Sequence, residues 1–370
     1  MKKRVLINGR FSTHHIAIRN FILIVAQHLA KNKDYDTYIL LNKDSDIEDF
    51  EKLNLKILYN PCPADSSVLN HLYTMFVLPW IILFHKINVA VYPQICIYLF
   101  NPFCKVILYM HDLIEYHYDS QTKSKLLFRK IAYPYDCKHA DIIVTVSEST
   151  KKDLIDIFGI SSDKIVVAWN GKNEALTPVD KEKARNHLME VYNISNFILY
   201  LGYITHPQKN LLYLIDEFAK FHKQHPESQL VFAGAEGKNS DMILEHAKVM
   251  LPSNAFKYLG RAPFEELRNL YSACELFCFP SLFEGFGIPV LEAMSCGAVV
   301  LTSNCSSFPE ILPDKRFLIN PREKGELSEA MQTFYGKDNT QIITSNIERA
   351  KLFTWDNHCR ILENVIQKLL

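Results

Sequence analysis

The stretch FPSLFEGFGIPVLEAMSCGAVVLTSN (Phe279–Asn304) sets two carboxylates, Glu284 and Glu292, with seven residues between them, around a Gly-Phe-Gly-Ile-Pro turn. LFCF reads as a buried strand. IPVLEAMSCG reads as a helix, with Pro289 suited to its first position and Gly297 to its C-terminal cap. The segment between exposes free backbone N–H groups at a helix start, and Gly285 and Gly287 let the backbone approach a ligand with no Cβ in the way. Free amides and the positive end of the helix dipole favour phosphate. Carboxylates repel phosphate but accept hydrogen bonds from hydroxyls. A ligand with phosphate in the middle and hydroxyl-rich rings at both ends, a nucleotide sugar, meets every requirement. Each glutamate alone has a plainer reading. Glu292 falls in the first helical turn, where an acid is favourable by roughly 0.3–1 kcal/mol without any ligand, and Glu284 alone could be a solvated loop residue.

A second stretch, LGYITHPQKNLLYLIDEFAKFH, ends a strand, passes through a loop and opens a helix near Leu211, with Asn210 as the expected N-cap. Lys209 then stands at the positive end of that helix, where a cation is mildly unfavourable unless an anion is bound. In the first half, VILYMHDLIEYHY delivers His111 and Asp112 to the loop after a strand. Asp34–Asp36 and Asp44–Asp46 have the Asp-x-Asp spacing used by metal-dependent transferases, but both lie in polar surface segments. No metal or other cofactor is expected, because a lysine and helix amides can do a cation's work at a diphosphate.

Short runs rich in Val, Ile and Leu, mostly unalternated, must position these residues. They are Arg4–Asn8, Tyr38–Leu41, Val89–Tyr92, Lys105–Met110 and Asp141–Ser147, then Phe197–Gly202, Gln229–Ala233, Phe256–Leu259, Leu276–Phe279 and Ala298–Thr302. Such runs suit parallel strands buried on both faces, and the helical patterns between them imply right-handed crossovers. The expected class is α/β, with two Rossmann-like doubly wound domains facing across a cleft, the motifs lying just after strands. The domains are drawn at 1–175 and 190–354, with a polar linker near 172–190. The amphipathic tail 355–370, with Ile361, Val365 and Leu369 at helical spacing, is expected to pack back on the first domain. Ser147 is the expected N-cap of a first-domain helix.

The 370-residue length supports two cores, and a formal net charge of zero gives no support to bulk nucleic-acid binding. Nine cysteines occur without a C-x-x-C pair, so reduced thiols and a cytoplasmic location are expected. No Gly-x-Gly-x-x-Gly follows the first strand, which argues against a dehydrogenase. The apolar run LYTMFVLPWIILFH (Leu72–His85) is too short to span a bilayer. It is expected to be a buried core helix, the alternative being a surface that touches a membrane. QTKSKLLFRK (Gln121–Lys130) adds Lys123, Lys125, Arg129 and Lys130 among apolar residues and favours the anionic inner face of the cytoplasmic membrane.

The segment YLGRAPFEELRNLYSACELFCFPSLFEGFGIPVLEAMSCGAVVLTSN, with YLGYITHPQKNLLYLIDEF and FTWDNHCRILE, resembles the retaining GT-B glycosyltransferases of family four, a mannosyltransferase-like subgroup among them. The resemblance is strong in the second half and weaker in the first. It implies that Glu292 holds the ribose hydroxyls, Glu284 contacts the donor sugar, and Lys209 grips the diphosphate. Gly285, Phe286, Gly287 and Ile288 would line the donor, with the Arg261 loop beside the base. Tyr203 stands where many relatives place an arginine, and Gln208 replaces another. His111 resembles the histidine near the donor sugar, and Gly9, Arg19 and Asp112 fall on the acceptor side. The implied reaction moves a hexose, best matched by mannose from GDP-mannose, to a saccharide or undecaprenyl-diphosphate-linked acceptor of a bacterial O-antigen or capsule. A nucleotide-sugar epimerase of the same fold and a catalytically silent sugar-binding subunit are the alternatives.

Overall fold

A computed structural model describes residues 2–10, 16–95, 103–118 and 123–370, without the side chains of 123–128. The chain divides into two compact units. The first comprises residues 1–115, 119–169 and 355–370, and the second residues 116–118 and 170–354. The division falls at 169/170, a few residues before the boundary drawn from composition. The polar stretch read as linker instead holds the helix Lys181–Tyr192, capped by the Asp180 carboxylate on the Lys183 amide.

The first unit carries a seven-stranded sheet: β1 (Lys3–Asn8), β2 (Tyr35–Asn42), β3 (Lys56–Asn60), β4 (Val89–Tyr92), β5 (Lys105–Met110), β6 (Ile142–Thr145) and β7 (Ile165–Val167). Its order is β3-β2-β1-β4-β5-β6-β7, and every pairing is parallel. The second unit carries β8 (Phe197–Leu201), β9 (Gln229–Ala233), β10 (Phe256–Tyr258), β11 (Leu276–Phe279), β12 (Val300–Ser303) and β13 (Leu318–Ile319) in the order β10-β9-β8-β11-β12-β13, again all parallel. In each sheet the order reverses once, between β1 and β4 and between β8 and β11. Crevices at the carboxyl ends of such reversals are where open α/β sheets take ligands.

All the apolar runs read as strands are strands. The strands not read are β3, β7 and β13, which lie at sheet edges. They are short and half-buried, so neither length nor continuous apolarity marks them. The C-terminal helix Trp355–Leu369 buries Leu362, Val365 and Ile366 in the core of the first unit, against Val25, Leu29 and their neighbours. His358 on that helix is fully buried, its ring nitrogens bonding the Tyr109 hydroxyl at 3.1 Å and the Trp169 carbonyl at 3.1 Å. Burial holds its imidazole down at about 4, so it is neutral there.

The expectation of a buried helix over Leu72–His85 is overturned. The segment forms two helices, Ser67–Phe76 and Leu78–Phe84, bent by 42° where Pro79 enters the second. Leu78 and Ile82 face inward, while Phe76, Trp80 and Phe84 are 56%, 58% and 79% exposed. The buried face of the first helix is polar: the Asn70 amide bonds the carbonyls of Pro63 and Ser66 and accepts from Asn42 and Asn60. Those bonds anchor the helix through asparagines and leave its apolar side for solvent. No single described helix is long and apolar enough to cross a membrane, though the bent pair together passes on length and composition.

Candidate active site

The loops after β8 and β11 flank the reversal of the second sheet, and they carry Lys209 and Glu284. The two side chains form an ion pair of 2.5 Å, Nζ to Oε1, and are only 13% and 14% exposed. Lys209 also lies 5.2 Å from the centroid of the Phe279 ring. The loops are laced together by backbone as well. The Leu282 amide donates to the Gln208 carbonyl at 2.8 Å, and the Gln208 side-chain amide donates to the Phe283 carbonyl at 2.8 Å. Gln208 is thus committed to joining the loops.

Three serines hold the turn. Ser281, buried at the end of β11, donates its hydroxyl to Glu284 Oε1 at 2.7 Å. Ser306 accepts from the Glu284 amide at 3.1 Å and lies 2.6 Å from the Glu284 carbonyl. Ser307 donates to the Phe286 carbonyl at 2.5 Å. Sequence reasoning missed these serines, because a hydroxyl after a strand has no periodic signature. The position of Ser281 directly after Pro280 at a strand end was the available signal.

Beyond the turn, Gly287 is the N-cap residue of the helix Ile288–Ser295, with φ of 103°; a Cβ there would sit 3.0 Å from the Phe308 ring. Having no side chain, it leaves the first helical amides uncapped. The helix of Lys209, Leu211–His222, begins in the same way. Asn210 takes the N-cap position in the left-handed region but makes no side-chain cap, contrary to expectation. Its amide donates to the Pro321 carbonyl at 2.8 Å instead. Two helix starts without side-chain caps and one lysine therefore offer positive potential at the reversal of one sheet.

Glu292 stands one turn further into its helix than the first-turn reading required, so the dipole does not explain it. The Tyr271 hydroxyl donates to Oε2 at 3.2 Å. Burial pushes the carboxyl up to about 7, with the Tyr271 bond pulling the other way. A near-buried carboxylate with one neutral donor is costly, and hydroxyls from a ligand would relieve it.

The other expected contacts are placed as follows. Phe286 is buried against Phe353, centroids 5.8 Å apart, so it can offer a ligand only backbone, while Ile288 is exposed. The Tyr203 side chain is 64% exposed, and its carbonyl accepts from Tyr200 at 2.9 Å. Arg261 is exposed on the loop after β10, just past Gly260, whose carbonyl accepts from the Gly234 amide at 2.7 Å. A Cβ on Gly234 would fall 1.8 Å from the Gly202 carbonyl oxygen, so the ends of β8 and β9 approach through glycine alone.

In the first unit His111 follows β5, and its Nε2 lies 2.8 Å from the Pro93 carbonyl after β4. Facing a carbonyl, that nitrogen must carry the proton. Burial lowers the imidazole's pKa, so the ring is neutral with Nδ1 as its acceptor. Asp112 turns back to accept from the Ile114 amide at 3.1 Å. Gly9 lies where a Cβ would meet Ile39 and Leu41 within 3 Å, which gives it a packing role. The Arg19 guanidinium pairs with Asp46 and Asp49 at 2.9 Å each, within its own unit. Two further acids of the Asp-x-Asp segments also have protein partners: Asp36 pairs with Lys56 at 2.8 Å, and Asp44 accepts from the Ala64 amide at 3.0 Å. Ser147 caps its helix as expected, accepting from the Thr150 amide at 3.0 Å.

Two family models match the chain. Residues 18–175 match Glycosyltransferase Family 4, and residues 185–349 match Glycosyl transferases group 1. The O-antigen chain mannosyltransferase B of Escherichia coli is 27% identical over 248 residues, covering 66% of this chain and 64% of that protein, a little under two thirds of its length. Among solved structures, the sucrose-phosphate synthase of Thermosynechococcus elongatus superposes with a TM-score of 0.76 over 100% of this chain and 99% of that one, at 17% identity. HepE of Anabaena, in complex with UDP and glucose, gives 0.72 over the full length of both chains at 16% identity. With both sheets in the GT-B arrangement and nearly all of its length matched by the two models, the chain belongs to the group 1 and family 4 glycosyltransferases.

Proposed function

We propose that this protein transfers a hexose from a nucleotide sugar to a saccharide or undecaprenyl-diphosphate-linked acceptor in the assembly of a bacterial surface polysaccharide, with retention of anomeric configuration and without a metal ion. The observation that carries the reading is the meeting of Lys209 and Glu284 at the reversal of the second sheet, beside two helix starts without side-chain caps. The donor diphosphate would sit on Lys209 and the amides near Gly287. The ribose hydroxyls would donate to Glu292, and Glu284 would meet the sugar. As the C–O bond loosens, charge gathers on the leaving phosphate, where fixed donors stabilise it more than they stabilise the ground state. The leaving phosphate takes the acceptor's proton, since no second carboxylate is needed across the bond as in a glycosidase. Mannose from GDP-mannose is the favoured donor, on the strength of the related O-antigen mannosyltransferase.

A lipid-linked acceptor requires work at a membrane surface, and we assign that contact to the inner face of the cytoplasmic membrane through the first unit. Its support is the row of exposed Phe76, Trp80 and Phe84. Of the basic residues expected beside it, the Lys123 and Lys125 side chains lie outside the described residues. Arg129 is already paired with Glu115, and Lys130 is exposed.

The deciding experiment is a panel of UDP-, GDP- and dTDP-sugars scored for nucleotide release, with and without lipid-linked acceptor and with excess EDTA. Acceptor-dependent release from GDP-mannose that survives EDTA is expected. Release that vanishes with chelator and returns with manganese would overturn the metal-free reading. Interconversion of the donor without transfer would favour an epimerase, and binding without turnover a silent sugar-binding subunit.

A further inference from the structure

Two donors converge on a single oxygen of Glu284. Lys209 Nζ lies 2.5 Å from Oε1, and the Ser281 hydroxyl lies 2.7 Å from the same atom. The other acceptors within reach of Ser281, the carbonyls of Gln208 at 3.1 Å and Phe283 at 3.3 Å, are farther and uncharged, so the carboxylate takes its proton. The Glu284 backbone is fixed separately by Ser306. Lys209 is thus neutralised by Glu284. A diphosphate carries more negative charge than one carboxylate and outcompetes it for the lysine. When Lys209 turns to the diphosphate, Glu284 loses its only ion-pair partner among the described residues, and the hydrogen bond left there on Oε1 comes from Ser281.

We propose that Ser281 is a positioning residue, which holds the Glu284 carboxylate in place for the sugar while Lys209 exchanges that carboxylate for the donor diphosphate. This rests on the glycosyltransfer reading. It deepens that reading by pairing the two charged groups with each other and by giving a buried serine a part in the transfer step. Because Ser281 is fully buried and small, its replacement by alanine removes one oxygen and little volume.

The test uses the full chain, with calorimetry of UDP and GDP and steady-state kinetics on the sugar donor that releases nucleotide fastest. Ser281→Ala should lower kcat about tenfold or more while donor KM and nucleoside diphosphate affinity stay within about twofold, the signature of a bond to a charged group that counts only in transfer. Ser281→Thr, which keeps the hydroxyl, should restore most of the rate, and Ser281→Cys, which keeps volume with a weak donor, should not. Glu284→Gln should abolish transfer yet bind the free nucleoside diphosphate several-fold more tightly, because Lys209 no longer has to leave a carboxylate. Wild-type kcat in Ser281→Ala, or equal rescue by Thr and Cys, would sink the positioning role. Unchanged or weaker diphosphate binding by Glu284→Gln would sink the exchange. A wild-type protein that binds neither nucleotide and releases none from any donor would instead remove the glycosyltransfer reading beneath both.

Discussion

Glu284 stands before the turn and Glu292 in the second turn of the helix that follows, and their surroundings differ in kind. Glu284 is neutralised: a lysine and a serine hydroxyl meet on one oxygen. Glu292 is desolvated with a tyrosine hydroxyl at 3.2 Å, and burial raises its carboxyl to about 7. A paired carboxylate can be placed near a phosphate without repelling it until the lysine is called away. An unpaired one is held at a cost that hydroxyl donors can offset. The difference teaches that the two acids are tuned for separate tasks, one electrostatic and one of recognition.

The largest effect should come from taking the cation out of the first pair. Lys209→Met removes a fixed donor from the developing phosphate charge, so nucleotide release should fall about 10²–10³-fold. It also strands Glu284, so the melting temperature should drop, and the added Glu284→Gln change should restore melting without restoring activity. A single Lys209→Met protein with undiminished turnover would end the contrast between the two acids.

Glu292→Gln should act in two directions. Nucleotide affinity should fall about tenfold or more, the worth of hydrogen bonds to a charged group. Stability should rise at pH 8. A carboxyl whose folded pKa lies above its unfolded value costs nothing below the unfolded value near 4.5, costs progressively more between 4.5 and 7, and costs its full amount above that. That full amount is on the order of 3 kcal/mol. Thermal melts of variant and parent should therefore diverge at pH 8 and coincide near pH 4.5, and parallel melts across the range would refute the assignment.

A smaller effect sharpens the same point. If ribose hydroxyls donate to an ionised Glu292, nucleotide binding releases a proton and tightens as pH rises from 6 to 8. Calorimetry in buffers of different ionisation enthalpy should detect that proton in the parent and not in Glu292→Gln. The smallest change at either glutamate should come from Trp80→Ser with Phe84→Ser in the first unit. Flotation with anionic vesicles should be lost while UDP and GDP affinities stay as they were. Vesicle binding that survives both substitutions would withdraw the membrane contact.

The sequence made the chemistry legible where it followed long apolar strands. Lys209, Glu284 and His111 could be placed after β8, β11 and β5 because those strands are buried runs. The pairing of Lys209 with Glu284 was not legible, since it depends on β8 and β11 being neighbours at the reversal of the sheet, which no local pattern encodes. Nor was the environment of Glu292. The helix start was read to within a residue, but Glu292 lies past its first turn, and its side-chain donor, Tyr271, comes from a different helix. Leu72–Phe84 misled for a further reason: asparagines form its inner anchorage, so apolarity there marked the outward face.

The return of the C-terminal helix to the first unit bears on how the chain is made. Residues 170–354 are contiguous and can complete their sheet as soon as they leave the ribosome. The first unit begins to be synthesised first yet lacks Leu362, Val365, Ile366 and the His358 bonds until residues 355–370 emerge. Vectorial synthesis would therefore complete the second unit before the first, with an unfilled groove on the first unit waiting for the helix Trp355–Leu369.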